Sequence, residues 1–235
     1  MGHSAEHLTV VIHLMKLGKF FFSTGVIRKP LGFFGELLRF YAVLVASYTI
    51  YGAGFSDWDN LGRMMIFLGL MLVLVFLLVG PTERSDPLKP NLFDFIFSSV
   101  SLATTVFFFL EIESITTRIS LFDPLSPTYY FFGLATIVLS IEAARRTVGL
   151  GLTVIVLIFM GYNLFGHHLS GLMSHGYISI DHLIDLTVYT SDGLFSVPIQ
   201  VAATYAFLFV MFGTILEKAG GGEFFFNLAA ALTGK

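Results

Sequence analysis

The chain has 235 residues, of which 55% are hydrophobic and 12% are charged, and its mean hydropathy is +0.82. These values argue against a water-soluble domain and favour a protein whose solvent is largely lipid. The absence of cysteine excludes a disulfide framework, thiol chemistry and a cysteine-ligated metal site. The net charge of −3, with basic residues scattered along the chain, gives no support for nucleic-acid binding.

Residues 1–36 are predicted to form an amphipathic segment at the membrane interface. Polar residues recur there at helical spacing, and apolar residues fill the opposite face of the same helix. The polar set is Glu6, Thr9, His13 and Lys16, and the apolar set is Leu8, Val11, Ile12 and Met15. The segment lacks the basic start and the small-residue cleavage site of a secretory signal, so it is interpreted as a helix lying on the membrane.

Six apolar segments approach the roughly 20 residues that a helix needs to cross the hydrocarbon core. They are Leu37–Gly54, Arg63–Gly80, Phe93–Leu110, Tyr129–Ala143, Val148–Phe165 and Val197–Leu216. The fourth and fifth are nearly continuous, and a single helix over Tyr129–Phe165 would be about 55 Å long, against about 30 Å of hydrocarbon. We therefore expect two helices joined by a hairpin whose tip carries Glu142, Arg145 and Arg146.

The distribution of basic residues predicts the orientation of these spans, because cytoplasmic loops carry an excess of Lys and Arg. With a cytoplasmic N-terminus, eleven of the thirteen basic residues fall inside, and only Arg63 and Arg118 fall outside. The prediction is an all-α polytopic membrane protein with about six transmembrane helices and both ends in the cytoplasm.

Two further helices are predicted outside the spans. Apolar residues alternate with polar ones at helical period between the fifth and sixth spans, which predicts a short amphipathic helix on the outer surface. The apolar set is Ile180, Leu183, Ile184 and Leu186, and the polar set is Asp181, His182 and Asp185. After a glycine break at Gly220–Gly222, a short apolar helix from Glu223 to about Leu232 is too short to span.

The outer loop also offers the one candidate metal site. It contains His167, His168, His175 and His182, with Asp181 and Asp185 close in sequence. Imidazole and carboxylate can bind a metal, but the spacing matches no established ligand motif. Simple solvation of these side chains is the favoured interpretation, and no metal ligand is assigned.

Few polar groups fall within the predicted spans. Asp94, Glu111 and Glu142 lie at span ends, where we expect the interface to hydrate them. The uncharged groups are Ser98, Ser99, Ser101, Thr104 and Thr105 in the third span and Gln200 and Thr204 in the sixth. Helix packing is favoured over a substrate path for these residues. With no nucleophile elbow, P-loop, HExxH or GxGxxG pattern, the chain is predicted not to be an enzyme and no catalytic residue is assigned.

The charged turn has a structural interpretation. Glu142 precedes Arg145 and Arg146 by three and four residues, so that it can pair with either on one helical face. Cations at a cytoplasmic helix end also suit the helix dipole and the orientation rule. We therefore interpret Glu142, Arg145 and Arg146 as a topology anchor rather than as ligand contacts.

Four motifs in the second half of the chain resemble one family. They are E-A-x-R-R-T-V-G (Glu142–Gly149), Y-x-L-F-G (Tyr162–Gly166), G-x-x-x-x-P-x-x-V (Gly193–Val201) and F-G-x-x-L-E-K-x-G-x-G-x-F-F (Phe212–Phe225). Together they resemble the fused permeases of TRAP transporters, in the branch that works with TAXI-type solute-binding proteins. The resemblance is strong from about Tyr130 to Lys235 and weaker upstream.

The resemblance implies a domain organisation and a function. Residues 37–147 would correspond to the small four-helix membrane region and residues 148–235 to the start of the large region, whose moving transport part would come later. The expected function is that of a membrane scaffold in a sodium-coupled, binding-protein-dependent importer of organic acids such as dicarboxylates or amino-acid-like carboxylates. The alternative is a non-transporting membrane scaffold or assembly subunit.

The same resemblance implies the partners and the location. The expected partners are a TAXI-type extracytoplasmic binding protein, the remainder of the permease as a continuation or a separate chain, and the lipid bilayer. Sodium would be the coupling ion, with no other cofactor, in the cytoplasmic membrane of a bacterium or archaeon. The family's substrate and sodium ligands are expected outside this chain, so that no substrate-binding residue is assigned.

Overall fold

The computed structural model describes residues 23–55 and 58–234, and within these ranges the protein is built from α-helices without a β-sheet. A single antiparallel bridge joins Ile27 to Val79. The prediction of an all-α fold is therefore confirmed. The predicted interfacial helix around Glu6–Lys16 lies outside the described residues.

Nine helices follow one another along the described chain. They are α1 (Gly32–Gly54), α2 (Asn60–Leu78), α3 (Leu92–Leu110), α4 (Ile112–Thr117), α5 (Pro127–Thr147), α6 (Leu150–Phe165), α7 (Ile180–Val188), α8 (Val197–Lys218) and α9 (Gly221–Thr233). Short 3₁₀ turns at Gly166–His168 and Gly171–Met173 follow α6, and α8 contains a π-helical turn at Ala202–Ala206. The two short helices predicted between the fifth and sixth spans and after the glycine break are confirmed as α7 and α9, and the outer location of α7 stays a prediction.

Five of these helices are long and apolar enough to cross a membrane, namely α1, α2, α3, α6 with the turn that follows it, and α8. They overlap five of the six predicted spans, although the predicted Arg63–Gly80 and Val148–Phe165 each extend two residues beyond the observed helix. The remaining span lies in α5, which has 21 residues but is less apolar than the other five and carries Arg145 and Arg146 in its last turn. At 1.5 Å per residue, α5 is about 31 Å long, which matches the thickness of the hydrocarbon core.

The helix boundaries follow local capping chemistry. The Asp59 side chain accepts hydrogen bonds from the first backbone N–H groups of α2, and Asn91 and Asp94 form a reciprocal capping box at the start of α3. Ser126 caps α5 ahead of Pro127. The break between α5 and α6 falls at Gly149, whose φ of 105° lies in a region that other residues rarely adopt. The predicted interruption after the charged turn is confirmed.

Helix α2 lies at the centre of the bundle and packs along its length against α3. Gly69 allows this close approach, since a Cβ atom there would clash with the side chain of Thr105. The hydroxyls of Ser101, Thr104 and Thr105 are buried and donate to carbonyl oxygens four residues earlier in α3. These three residues confirm the helix-packing interpretation of the third span, whereas the nearby Ser99 is exposed.

Two of the long helices are poorly covered by the rest of the chain. Thr153 is the buried residue of α6, and Ala203, in the π-helical turn, is the buried residue of α8. The apolar side chains of both helices therefore face outward, where lipid or another protein segment can cover them.

Candidate functional site

A cluster of buried and half-buried charges lies where α2 ends, α3 begins and α5 ends. We call Arg28, Asp94, Glu142, Arg145 and Arg146 the charge cluster. Its centre is Asp94, whose side chain is 0% exposed. The Oδ2 atom accepts a hydrogen bond from Arg28 Nη2 at 2.7 Å, and Oδ1 accepts one from Arg146 Nη1 at 2.6 Å. The backbone N–H of Asn91 also donates to Oδ2 at 2.8 Å, so both carboxylate oxygens have hydrogen-bond donors.

Arg28 connects the segment before α1 to the end of α2. Its guanidinium donates to the carbonyl oxygens of Phe76 and Leu77 at 3.3 Å, and its backbone N–H donates to the carbonyl of Leu78 at 2.7 Å. The last carbonyls of a helix have no partner within the helix. Arg28 therefore caps the end of α2 while it neutralises Asp94.

Arg146, at the end of α5, likewise binds Asp94 and a backbone carbonyl at the end of α2. Its Nη1 donates to the carbonyl of Val79 at 3.1 Å, directly after α2, and its Nε donates to Glu142 at 2.7 Å. The guanidinium carbon lies 5.0 Å from the ring centre of Phe76 and 5.5 Å from that of Phe97, within cation–π range. The backbone carbonyl of Arg146 accepts from the N–H of Gly25 at 2.7 Å, which fixes the chain before α1 against the end of α5.

Glu142 and Arg145 form the outer edge of the cluster. Arg145 donates to both carboxylate oxygens of Glu142, at 2.7 and 2.8 Å, and to the carbonyl of Pro81 at 3.1 Å. The Arg145 side chain is 32% exposed, whereas that of Arg146 is 1% exposed. The predicted pairing of Glu142 with the arginines is confirmed for both, but the two arginines are not equivalent.

These contacts correct the expectation that Asp94 is hydrated at a span end. The prediction was wrong because Arg28, which lies 66 residues earlier in the chain, and Arg146 exclude water from both carboxylate oxygens. Burial of a charge is tolerated where partners satisfy it, and three cations surround two carboxylates in this cluster. Residue spacing reveals pairs within one helix, so it found Glu142 with Arg145 and Arg146 but missed Arg28 and Asp94.

A second buried ion pair lies at the opposite end of the bundle. Arg118, between α4 and α5, binds Asp185 of α7 through two hydrogen bonds of 2.6 and 3.1 Å. The backbone N–H of Leu121 donates to the same carboxylate at 2.7 Å. The hydrogen bonds to Asp185 raise the pKa of Arg118 above its usual value, and the guanidinium stays charged. The interpretation of Asp185 as a solvated outer residue was wrong, because its side chain is 3% exposed.

The neighbouring aromatic residues support this pair. The hydroxyl of Tyr189 donates to the backbone carbonyl of Tyr129 at 2.5 Å, and the Tyr129 hydroxyl lies 3.0 Å from a carboxylate oxygen of Glu111. Burial raises the pKa of Tyr189, so this hydroxyl keeps its proton and remains a donor. The contacts join α5 and α7 beside Arg118 and Asp185.

His167, His168, His175 and His182 do not assemble into a metal site in the described part of the chain, where no three His, Asp or Glu residues lie close enough to share an ion. His175 has one ring nitrogen 2.7 Å from the carbonyl oxygen of Gly176 and the other 3.0 Å from that of Tyr162. Both carbonyls are acceptors, and they raise the pKa of His175. Both ring nitrogens of His175 therefore face backbone carbonyl oxygens and are not directed at a ligand shared with the other histidines.

The charge cluster holds helices together and offers no chemistry of its own. Its charged groups bind one another, helix-end carbonyls or aromatic faces, and it contains no nucleophile beside a base. Glu142, Arg145 and Arg146 thus belong to a set of contacts that connects α5 with α2, α3 and the segment before α1, whereas their role as a topology anchor stays a prediction. The architecture is that of a multi-spanning helical membrane protein.

A comparison with protein families shows which family of membrane proteins the second part of the chain resembles. Residues 135–235 match the family described as "Tripartite ATP-independent periplasmic transporter, DctM component". Over this range the chain is similar to the DctM membrane component of TRAP transporters, which are transporters and not enzymes. The match begins inside α5, ahead of the predicted domain boundary at 147–148. No curated protein and no solved structure matches the chain.

Proposed function

We propose that the chain is a static scaffold of a sodium-coupled TRAP-type importer of organic acids, of the branch served by TAXI-type binding proteins. The observation that carries the proposal is the DctM match over residues 135–235. The TAXI branch, the sodium coupling and the organic-acid substrate rest on the resemblance of the four motifs and extend beyond that match. Residues 37–147 would act as the small membrane region, and residues 148–235 would begin the large one.

The arrangement of buried charge supports a static role. A transport site needs polar groups that are free to bind a substrate or an ion, and such groups within a membrane are usually functional. The charge cluster instead satisfies its charges internally and connects α2, α3 and α5 into one unit. The outward apolar faces of α6 and α8 provide a surface against which a transport domain could move.

Reconstitution in liposomes tests the transport function. The chain is combined with the remaining DctM transport region and a TAXI-type binding protein, and uptake of radiolabelled carboxylates is measured with and without a sodium gradient. We expect sodium-dependent uptake with the complete set and none when this chain or the binding protein is omitted. If a panel of dicarboxylates and amino-acid-like carboxylates gives no sodium-dependent uptake, the proposed importer is rejected.

The orientation is a separate prediction, with the N-terminus and the charge cluster on the cytoplasmic side of a bacterial or archaeal membrane. Reporter fusions after Lys89 and Arg146 are expected to give cytoplasmic signals, and a fusion after His168 an external signal. A paired alkaline phosphatase and fluorescent protein reporter gives a positive readout on each side. Reversal at any one of the three positions contradicts the six-span arrangement.

The alternative is a non-transporting membrane scaffold or assembly subunit. The internally neutralised charges favour it as much as they favour a static part of a transporter. Affinity purification from native membranes separates the two possibilities. A stable complex with a DctM transport region supports the importer, whereas reproducible recovery of unrelated membrane proteins without one supports the alternative.

A further inference from the structure

A cavity of about 350 Å³ opens at the end of the bundle that contains the charge cluster. It lies between the segment that leads into α1 and the loop that leads into α3. Its wall is mainly apolar and consists of Leu31, Phe34, Leu88, Pro90 and Phe95, with Lys89 as its charged member. The rings of Phe34 and Phe95 meet edge to face, with their centres 5.8 Å apart, and join α1 to α3 at the cavity.

The rim of this cavity carries two lysines, while the carboxylate of Asp86 in the same loop accepts from the backbone N–H groups of Leu88 and Lys89 and not from a lysine side chain. The side chains of Lys89 and Lys29 are exposed, and neither makes an ion pair with a carboxylate in residues 23–55 or 58–234. The backbone N–H of Lys29 donates to the carbonyl of Pro87 at 3.0 Å, which places Lys29 beside the loop that bears Lys89. By contrast, the arginines of the charge cluster bind Asp94 and Glu142.

The first turn of α1 adds a weaker attraction for anions at the same edge. Leu31 precedes the helix and supplies no capping side chain, and no acidic residue lies in the first turn. The first backbone N–H groups of α1 are therefore left without a side-chain acceptor, and such groups favour a negative ligand. The start of α3 differs, because Asn91 and Asp94 cap it.

From this combination we infer that the cavity binds an anionic phospholipid, with an acyl chain against the apolar wall and the phosphate headgroup near Lys89 and Lys29. An apolar wall suits hydrocarbon, and unpaired lysines at a membrane boundary attract acidic headgroups. A soluble phosphate would use the lysines alone and leave the apolar wall exposed to water. The inference needs only a membrane-embedded chain and is independent of whether the protein transports organic acids.

Native mass spectrometry of the full chain, released from nanodiscs of defined composition, tests the inference. The probes are phosphatidylglycerol and phosphatidylcholine with identical acyl chains. A Lys near an acidic surface contributes about 1 kcal/mol, which corresponds to about a fivefold change in affinity. We therefore expect preferential retention of phosphatidylglycerol, a decrease of about fivefold in Lys89→Gln, and a larger decrease in Lys29→Gln/Lys89→Gln.

The matched control is Arg84→Gln, which removes an exposed cation from the same loop but not from the cavity wall. The substituted side chains are exposed, so the variants are expected to fold, and an unchanged thermal midpoint checks this. Equal retention of the two lipids, or equal losses in Lys89→Gln and Arg84→Gln, overturns the inference. Competition by sn-glycerol 3-phosphate as effective as that by the lipid identifies a soluble phosphate site and also overturns it.

Discussion

Asp94→Asn is expected to destabilise the helical bundle by about 3–5 kcal/mol, the cost of removing one partner from a buried ion pair. The substitution preserves the shape of the side chain but removes its charge. Arg28 and Arg146 would then lie buried beside each other without the carboxylate that accepts their hydrogen bonds at 2.7 and 2.6 Å. The amide –NH₂ group would also face a guanidinium, donor against donor.

The change is measured as the thermal midpoint of the purified protein in detergent micelles, where we expect a decrease of roughly 10 °C. Glu36→Gln is the matched control, since Glu36 forms an exposed ion pair with Arg39 in α1. An exposed pair contributes at most about 1 kcal/mol, so the control should stay close to the wild type. Equal midpoints for the two variants would show that the charge cluster does not stabilise the bundle.

Two further comparisons separate charge from packing. Arg146→Met is expected to resemble Asp94→Asn, whereas Arg145→Met, which changes a side chain that is 32% exposed, should have a smaller effect. The triple variant with Asp94→Leu, Arg28→Met and Arg146→Met removes all three central charges together. Replacement of a complete buried ionic group by apolar residues is often nearly neutral. The triple variant should therefore be more stable than Asp94→Asn.

The sequence predicts the features of this protein that depend on residues close together in the chain. Apolar length located the helices, and the excess length of Tyr129–Phe165 predicted the break that the structure has at Gly149. The spacing of three and four residues predicted that Glu142 pairs with Arg145 and Arg146. Each of these predictions requires only the geometry of one helix.

The contacts that the sequence did not reveal are long-range. Arg28 reaches Asp94 across 66 residues and Arg118 reaches Asp185 across 67, and no periodicity relates such positions. The rule that ionisable residues at span ends are hydrated fails for Asp94 because three chain segments converge at that span end. The available signal was Asp94, a carboxylate in the first turn of an apolar helix, together with Arg28, an arginine before the first helix to which no partner had been assigned.

Asp185→Asn is expected to release the loop before α5 and to destabilise the protein by about 2 kcal/mol. This is less than the effect at Asp94, because the Arg118 side chain is 10% exposed and water can partly replace the lost partner. The carboxylate of Asp185 holds the loop at two points, through Arg118 and through the backbone N–H of Leu121. Leu121 has a φ of 69°, a left-handed conformation that costs a residue other than glycine about 1–2 kcal/mol.

Because Leu121 adopts an unfavourable positive φ, loss of its hydrogen bond to Asp185 should change the structure of this loop in a way that a local measurement can detect. Once Asp185 no longer holds the N–H group, Leu121 can leave the left-handed conformation and the loop gains alternative structures. Hydrogen exchange of the peptide covering 118–125 should therefore accelerate in Asp185→Asn. Asp192→Asn is the matched control, because it removes an exposed carboxylate from the same side of the molecule. Equal exchange in both variants would show that Asp185 does not hold the loop.

A double substitution separates the backbone cost from the ion pair. Leu121→Gly removes the steric cost of a positive φ. It also removes the leucine side chain, which loses little packing because it is already 51% exposed. In the Asp185→Asn background, glycine at this position should slow the exchange of 118–125 relative to Asp185→Asn alone, because the native turn no longer needs the carboxylate to offset strain. If glycine accelerates exchange further, its flexibility outweighs the relief of strain, and the ion pair alone accounts for the stability of the loop.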